Sequence, residues 1–219
     1  MARESGNTQS FSRVLLLLAF TLLLVPMANA SILGVGGTAP PSPLTPSGTV
    51  LASMSGLITT PTFSTSYTTW VYQDPTNTWC ANCLDFVYQF TNNGPDVNRR
   101  YTMYNFGGFS VDAGTDPFGV HDPITVSRST ALGGQVVSFN FDQFGDDILP
   151  GQTTVLLVIE TNARQFVPGF LSAQDGTAGT GTAFAPASPV PEPTSLVLMG
   201  SSLIAAGGLL RKSRFGKRS

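Results

Sequence analysis

The chain has 219 residues, 42% of them hydrophobic and only 11% charged, with a formal net charge of −2. The charge is unevenly placed: residues 31–190 hold four arginines and no lysine against ten aspartates and Glu160, a net of −7. An electronegative surface of this kind repels phosphate backbones, so nucleic acid is disfavoured as a partner and cations or neutral polymers are favoured. That stretch of about 160 residues suffices for one domain with a hydrophobic core, but not comfortably for two.

At the N-terminus, Arg3 and Arg13 precede an apolar run over 14–25, and Ala28-Asn29-Ala30 places small residues at the two positions a signal peptidase reads. This pattern predicts a secretory signal peptide over 1–30, with a retained hydrophobic anchor as the alternative. No cysteine follows the cleavage site, which argues against a lipid-anchored form. Residues 31–48 are rich in Gly and Pro and poor in bulky side chains, and read as a linker.

From residue 49 the chain changes to short β-branched, aromatic and aliphatic runs punctuated by Gly, Pro, Asn and Asp, the pattern of consecutive strands and turns. In 84–91, Leu84, Phe86, Tyr88 and Phe90 share one face while Asp85, Gln89 and Thr91 share the other, which predicts a half-buried strand. Asn92-Asn93-Gly94-Pro95-Asp96 supplies turn residues, so 101–106 is expected as its hairpin partner. Further strands are expected at 50–59, 68–73, 124–127, 136–141, 153–160 and 166–171. Val155 to Ile159 is apolar at every position and is expected in the centre of a sheet with both faces covered. About eight strands without crossover helices predict an all-β, antiparallel β-sandwich over 49–175, with a barrel as the alternative. Residues 176–188 return to Gly, Thr, Ala and Pro and read as a second linker, with a short last strand around Ala183 and Phe184.

Cys80 and Cys83 form the one Cys-x-x-Cys. A thioredoxin-like site needs a helix after the first cysteine, whereas a strand pattern follows here, and a closed zinc site lacks soft donors beyond His121. A local disulfide in an oxidising compartment is the expected outcome. Two acidic loops, one with Asp112, Asp116 and Asp122 and the other with Asp142, Asp146 and Asp147, are weak calcium candidates, because clustered carboxylates and carbonyls supply the six to eight oxygens calcium takes. Neither matches an EF-hand, and solvated turn aspartates are the competing reading. Trp70 and Tyr72, with Tyr67 and Trp79 nearby, fit either a sugar-binding face or the sandwich core, the latter being the commoner fate of aromatics. Hydrolytic chemistry has the least support: His121 is the single histidine and no nucleophile motif accompanies it.

The C-terminal stretch is the most specific. Pro189-Val190-Pro191-Glu192-Pro193 leads into an apolar segment over 194–210 and a basic tail over 211–219 with Arg211, Lys212, Arg214, Lys217 and Arg218. Seventeen residues make a helix of about 25 Å, slightly short of a hydrocarbon core of about 30 Å, and the cations fix the C-terminus on the cytoplasmic side. This order of Pro-Glu-Pro, hydrophobic segment and basic cluster resembles the PEP-CTERM sorting signal, also called the ice-binding protein C-terminal domain. The middle region, through Cys80-Ala81-Asn82-Cys83-Leu84-Asp85-Phe86 and Gly145-Asp146-Asp147-Ile148-Leu149-Pro150-Gly151, resembles uncharacterised β-rich domains found with that signal. The resemblance implies that an exosortase-type membrane protease recognises Pro191, Glu192 and Pro193 and removes the tail, often in exopolysaccharide-making bacteria. The expectation is an exported protein, membrane-tethered before processing, of the cell envelope, cell surface or extracellular matrix, with a non-catalytic structural or interaction role and no obligate cofactor. A carbohydrate-binding or calcium-dependent module of the exopolysaccharide matrix is the alternative, and a cryptic hydrolase the third reading.

Overall fold

Leu84, Phe86, Tyr88 and Phe90 point inward from a long strand as their spacing requires, but Asp85 and Val87 on its other face are buried too, so the strand expected to be half-buried is covered on both faces, and the rest of the architecture is built on it. The computed structural model describes residues 32–117, 120–142 and 146–187. They form an all-β sandwich of two six-stranded sheets. The first sheet runs in the order β2 (Ser42–Pro43), β7 (Val111–Thr115), β10 (Leu157–Thr161), β5 (Cys83–Pro95), β4 (Phe63–Asp74) and β3 (Thr49–Thr59). The second runs β1 (Thr38–Ala39), β8 (Thr125–Arg128), β9 (Val137–Asn140), β6 (Arg100–Met103), β11 (Phe166–Asp175) and β12 (Thr177–Pro186). Every pairing is antiparallel except that of β2 with β7. One 3-10 turn, Ala131–Gly133, is the helical element among the described residues, and none of those residues forms a helix long and apolar enough to cross a membrane. The signal peptide and the segment 194–210 lie outside the described residues.

The two sheets face each other across one core. Phe90 stacks on Tyr101 with ring centroids 3.9 Å apart, while Phe86 meets Phe106 and Tyr101 meets Phe141 edge-on. Each such ring withdrawn from water contributes on the order of 2 kcal/mol, so this aromatic seam dominates the packing. The apolar strand β10 is central as expected, between β7 and β5, with Leu157 and Ile159 facing the core and Val158 on the outer face.

Three further expectations are corrected. Residues 101–106 are not the hairpin partner of β5: the chain crosses between sheets, and β6 pairs with β9 and β11. Side chains supply the hydrogen bonds of that crossing, Asn92 Nδ2 donating to the carbonyls of Asp96 and Ile148 while the backbones of Asn98 and Ile148 pair. Residues 31–48 are not a linker: they carry β1 and β2, and two of their four bulky apolar residues, Leu33 and Leu44, are buried while Ile32 and Val35 stay exposed. Nor is the second expected linker, 176–188, bare of structure, since 177–186 form the ten-residue strand β12 along the whole of β11. Its small residues are a packing requirement. A Cβ on Gly181 would lie 2.6 Å from the Tyr67 hydroxyl, and one on Gly179 would lie 2.4 Å from Ile58, both side chains reaching over from the first sheet.

Candidate functional site

The outer face of the first sheet is unusual in burying acids. Strand register sets Asp112 on β7 opposite Glu160 on β10, and Glu160 opposite Asp85 on β5, so three carboxylates lie in one row across three strands. Tyr72 on β4 continues the row, and Asp74, two residues further along β4, shares its face. Asp74, Asp85, Asp112 and Glu160 are all buried.

Two segments cover them. The first is β2 with the strap that follows it: Ser42 Oγ donates to Asp112 Oδ1 at 3.2 Å, Leu44 packs on Val87 and Val158, and Ser47 Oγ donates to Asp74 Oδ1 at 2.7 Å. Gly114 lets the strap lie flat, since a Cβ there would meet the Ser42 carbonyl oxygen at 1.9 Å. The second is the loop 75–82, folded back by the acids themselves. Asp74 Oδ1 accepts from the Thr76 amide and hydroxyl at 2.6 and 2.7 Å, an Asx turn. Asn77 Nδ2 donates to Asp85 Oδ1 at 2.7 Å and its Oδ1 accepts from the Trp79 amide at 2.8 Å, while the Thr78 amide donates to Glu160 Oε2 at 3.1 Å. The loop closes through Asn82, at φ +62°, and the Cys80 and Cys83 disulfide at the entrance of β5.

Burial, the hydrogen-bonded Asp74 and the charge of Glu160 push the Asp85 carboxyl up to about 8, against the opposing effect of Asn77. Burial likewise moves Asp112 up to about 6. Burial acts on Asp74 in the same direction, but bonds from Ser47 and Thr76 outweigh it and leave that carboxyl below its ordinary range. Asp85 is thus a neutral acid beside an ionised Asp74 at neutral pH. Oxygens of Asp74, Asp85 and Glu160 all lie within 4.8 Å of one another.

No family model, characterised protein or solved structure matches this chain.

The calcium candidates read from the loops do not gather. Among the described residues the one group of three converging carboxylates is Asp74, Asp85 and Glu160. Asp112 is a buried strand residue held by Ser42, Asp122, Asp142 and Asp146 are exposed and Asp116 half-buried, and Asp147 pairs with Arg99 at 3.4 Å. Turn aspartates face water because turns do, whereas the acids that meet are carried in by strand register. A signal for them existed in Asp85 within Leu84-Asp85-Phe86-Val87 and in Glu160 ending the apolar run of β10, acids where a buried strand supplies no water. Trp70 and Tyr72 share a face as expected, but it is the outer one. They are half-buried beside Leu44, Val87 and Val158, whereas Tyr67 occupies the core. His121 contributes its carbonyl to the Val155 amide at 3.2 Å, and a groove of about 820 Å³ between Phe109, Leu132, Arg164 and Phe166 does not include it. Ala28, Ala30, Pro191, Glu192, Pro193, Arg211, Lys212, Arg214, Lys217 and Arg218 lie outside the described residues.

Proposed function

We propose that this chain is an exported β-sandwich protein, delivered to the cell envelope through its C-terminal sorting sequence and serving there as a non-catalytic structural or binding module. The observation that carries the reading is where the sandwich ends. β12 finishes at Pro186, and the Ala187 amide still donates to the Gln165 carbonyl at 2.9 Å, so the described sandwich runs to just before Pro189, where the sorting pattern begins. A sorting pattern that begins after the last described strand is placed to be read by a membrane protease as a linear stretch. The disulfide between Cys80 and Cys83 fits an oxidising compartment, and the four converging or adjacent acids on the outer face favour a cation-dependent binding module over a hydrolase.

In the proposed sequence of events, signal peptidase acts after Ala30, the segment 194–210 holds the chain in the membrane, and Arg211 to Arg218 keep the tail cytoplasmic. Pro191 and Pro193 then hold the backbone extended around Glu192 for an exosortase-type protease. Replacing Pro191-Glu192-Pro193 by three alanines leaves export intact and accumulates a full-length membrane-bound form, followed by fractionation with an antibody to the sandwich. Processing indistinguishable from wild type would reduce the tail to a plain anchor and refute the sorting role.

A further inference from the structure

We propose that Asp74, Asp85 and Glu160 form a binding site for a hard divalent cation, calcium by its donor set, under the loop 75–82 on the outer face of the first sheet. The donors are oxygens alone, which suit calcium over zinc or copper. One oxygen from each carboxylate lies within 4.8 Å of the other two. Calcium to oxygen distances of about 2.4 Å place ligands on opposite sides of the ion about 5 Å apart, so one ion reaches all three.

The second line of evidence is a pair of orphaned atoms. Asp85 Oδ2 and Asp112 Oδ2 are fully buried and receive no hydrogen bond from a protein donor among the described residues, so that without a cation only a proton, shared with Asp74 in the case of Asp85, satisfies them. Asn77 already holds Asp85 Oδ1, which leaves Oδ2 for the space Asp85 shares with Asp74 and Glu160. Asp112 sits directly opposite Glu160, and its Oδ1 is taken by Ser42 and the Ala113 amide, so its orphaned oxygen belongs to the same face. Buried carboxylate oxygens without partners are rare and costly, and a cation satisfies them. No protein cation does so: among the described residues none of the three acids forms an ion pair, Arg99 pairing with Asp147 and Asp175 and Arg128 bonding carbonyls. The remaining oxygens are already fixed, Asp74 Oδ1 by Ser47 and Thr76 and Glu160 Oε2 by the Thr78 amide. The ligands are therefore preorganised, and an ion bound there would clamp both strap and loop to the sheet.

The inference goes beyond the sorting proposal and does not depend on it, since a chain that fails the sorting test still carries the site. The test uses the full chain purified in mild detergent. Millimolar calcium is expected to raise the Tm of the chelator-treated wild type by several degrees, and terbium is expected to bind with saturable luminescence excited through the nearby Trp79 and Tyr72 and to be displaced by calcium. Asp85→Asn and Glu160→Gln should abolish both effects, and Asp142→Asn, on the exposed loop, should keep them. Absence of a calcium shift together with no saturable terbium signal in the wild type overturns the site, and this arm decides the matter even if the variants fail to fold. Retention of the shift in both Asp85→Asn and Glu160→Gln overturns it too. So does an Asp85→Asn protein that is more stable than wild type with calcium absent and present alike, which would make the cluster a proton-sharing acid pair.

Discussion

Arg128 offers the sharpest test of how the sandwich is held at the end where the N-terminal segment joins it. The residue is 6% exposed, and among the described residues it forms no ion pair. Instead Nε donates to the Gly134 carbonyl at 3.0 Å, Nη1 to Leu33 at 3.3 Å, and Nη2 to Phe106 and Phe109 at 3.0 and 2.7 Å, with Gly133 at 3.4 Å. One side chain thereby ties the segment before β1, the loop before β7 and the 3-10 turn to β8. In Arg128→Met, the carbonyls of Phe106 and Gly133 keep backbone donors from Phe109 and Gly108, but those of Leu33, Phe109 and Gly134 lose the partner recorded for them. Each buried orphan costs about 1–3 kcal/mol, and no longer burying a charge returns part of the sum. A net loss of about 3 kcal/mol is expected, a large share of the 5–15 kcal/mol typical of a domain. Arg128→Lys, with charge and three donors on one nitrogen, should recover only part of it. Urea unfolding of residues 31–187, followed by tryptophan fluorescence, measures this as a lower midpoint at unchanged slope. A midpoint for Arg128→Met within about 0.5 kcal/mol of wild type would refute the reasoning.

Two further outcomes are expected. Gly181→Val drives a side chain into the space of the Tyr67 hydroxyl and should cost at least 1–3 kcal/mol, whereas Gly176→Ala, with nothing within 4 Å of its added Cβ, tests the strain of φ +65° alone; equal losses would mean that β12 does not pack on Tyr67. For pH, Asp85 keeps its proton in the folded chain up to about 8 but releases it near 4 when unfolded, so the folded state binds more protons between those values. Its contribution is whole below pH 4 and lost as pH rises through 8. With chelator present, the urea midpoint of wild type relative to Asp85→Asn should therefore fall from pH 5 to pH 8, and a constant difference would contradict a buried neutral Asp85.

Local pattern determined a good deal. Period-two alternation placed Leu84, Phe86, Tyr88 and Phe90 on the inward face of β5, and the unbroken apolar run before Glu160 marked the central β10, because a side chain's face is fixed by the backbone of its own strand. The proposed sorting pattern from Pro189 to Arg218 rests on sequence alone, since a protease and a membrane would meet it as a linear stretch. Tertiary structure decided what depends on a facing neighbour. Residues 177–186 look like a linker until Tyr67 and Ile58 arrive from the other sheet and need room, and then glycine and alanine are what fits. Residues 31–48 look equally bare until Leu33 and Leu44 find cover. Strand alternation could set Asp85 against the apolar face, but only the register of β7, β10 and β5 brings Asp112, Glu160 and Asp85 into one row, and only the loop 75–82 with the strap from Ser42 shuts that row and Asp74 away from water. Burial of a charge is a property of what covers it, and the covering segments are distant in the chain from most of the acids they hide.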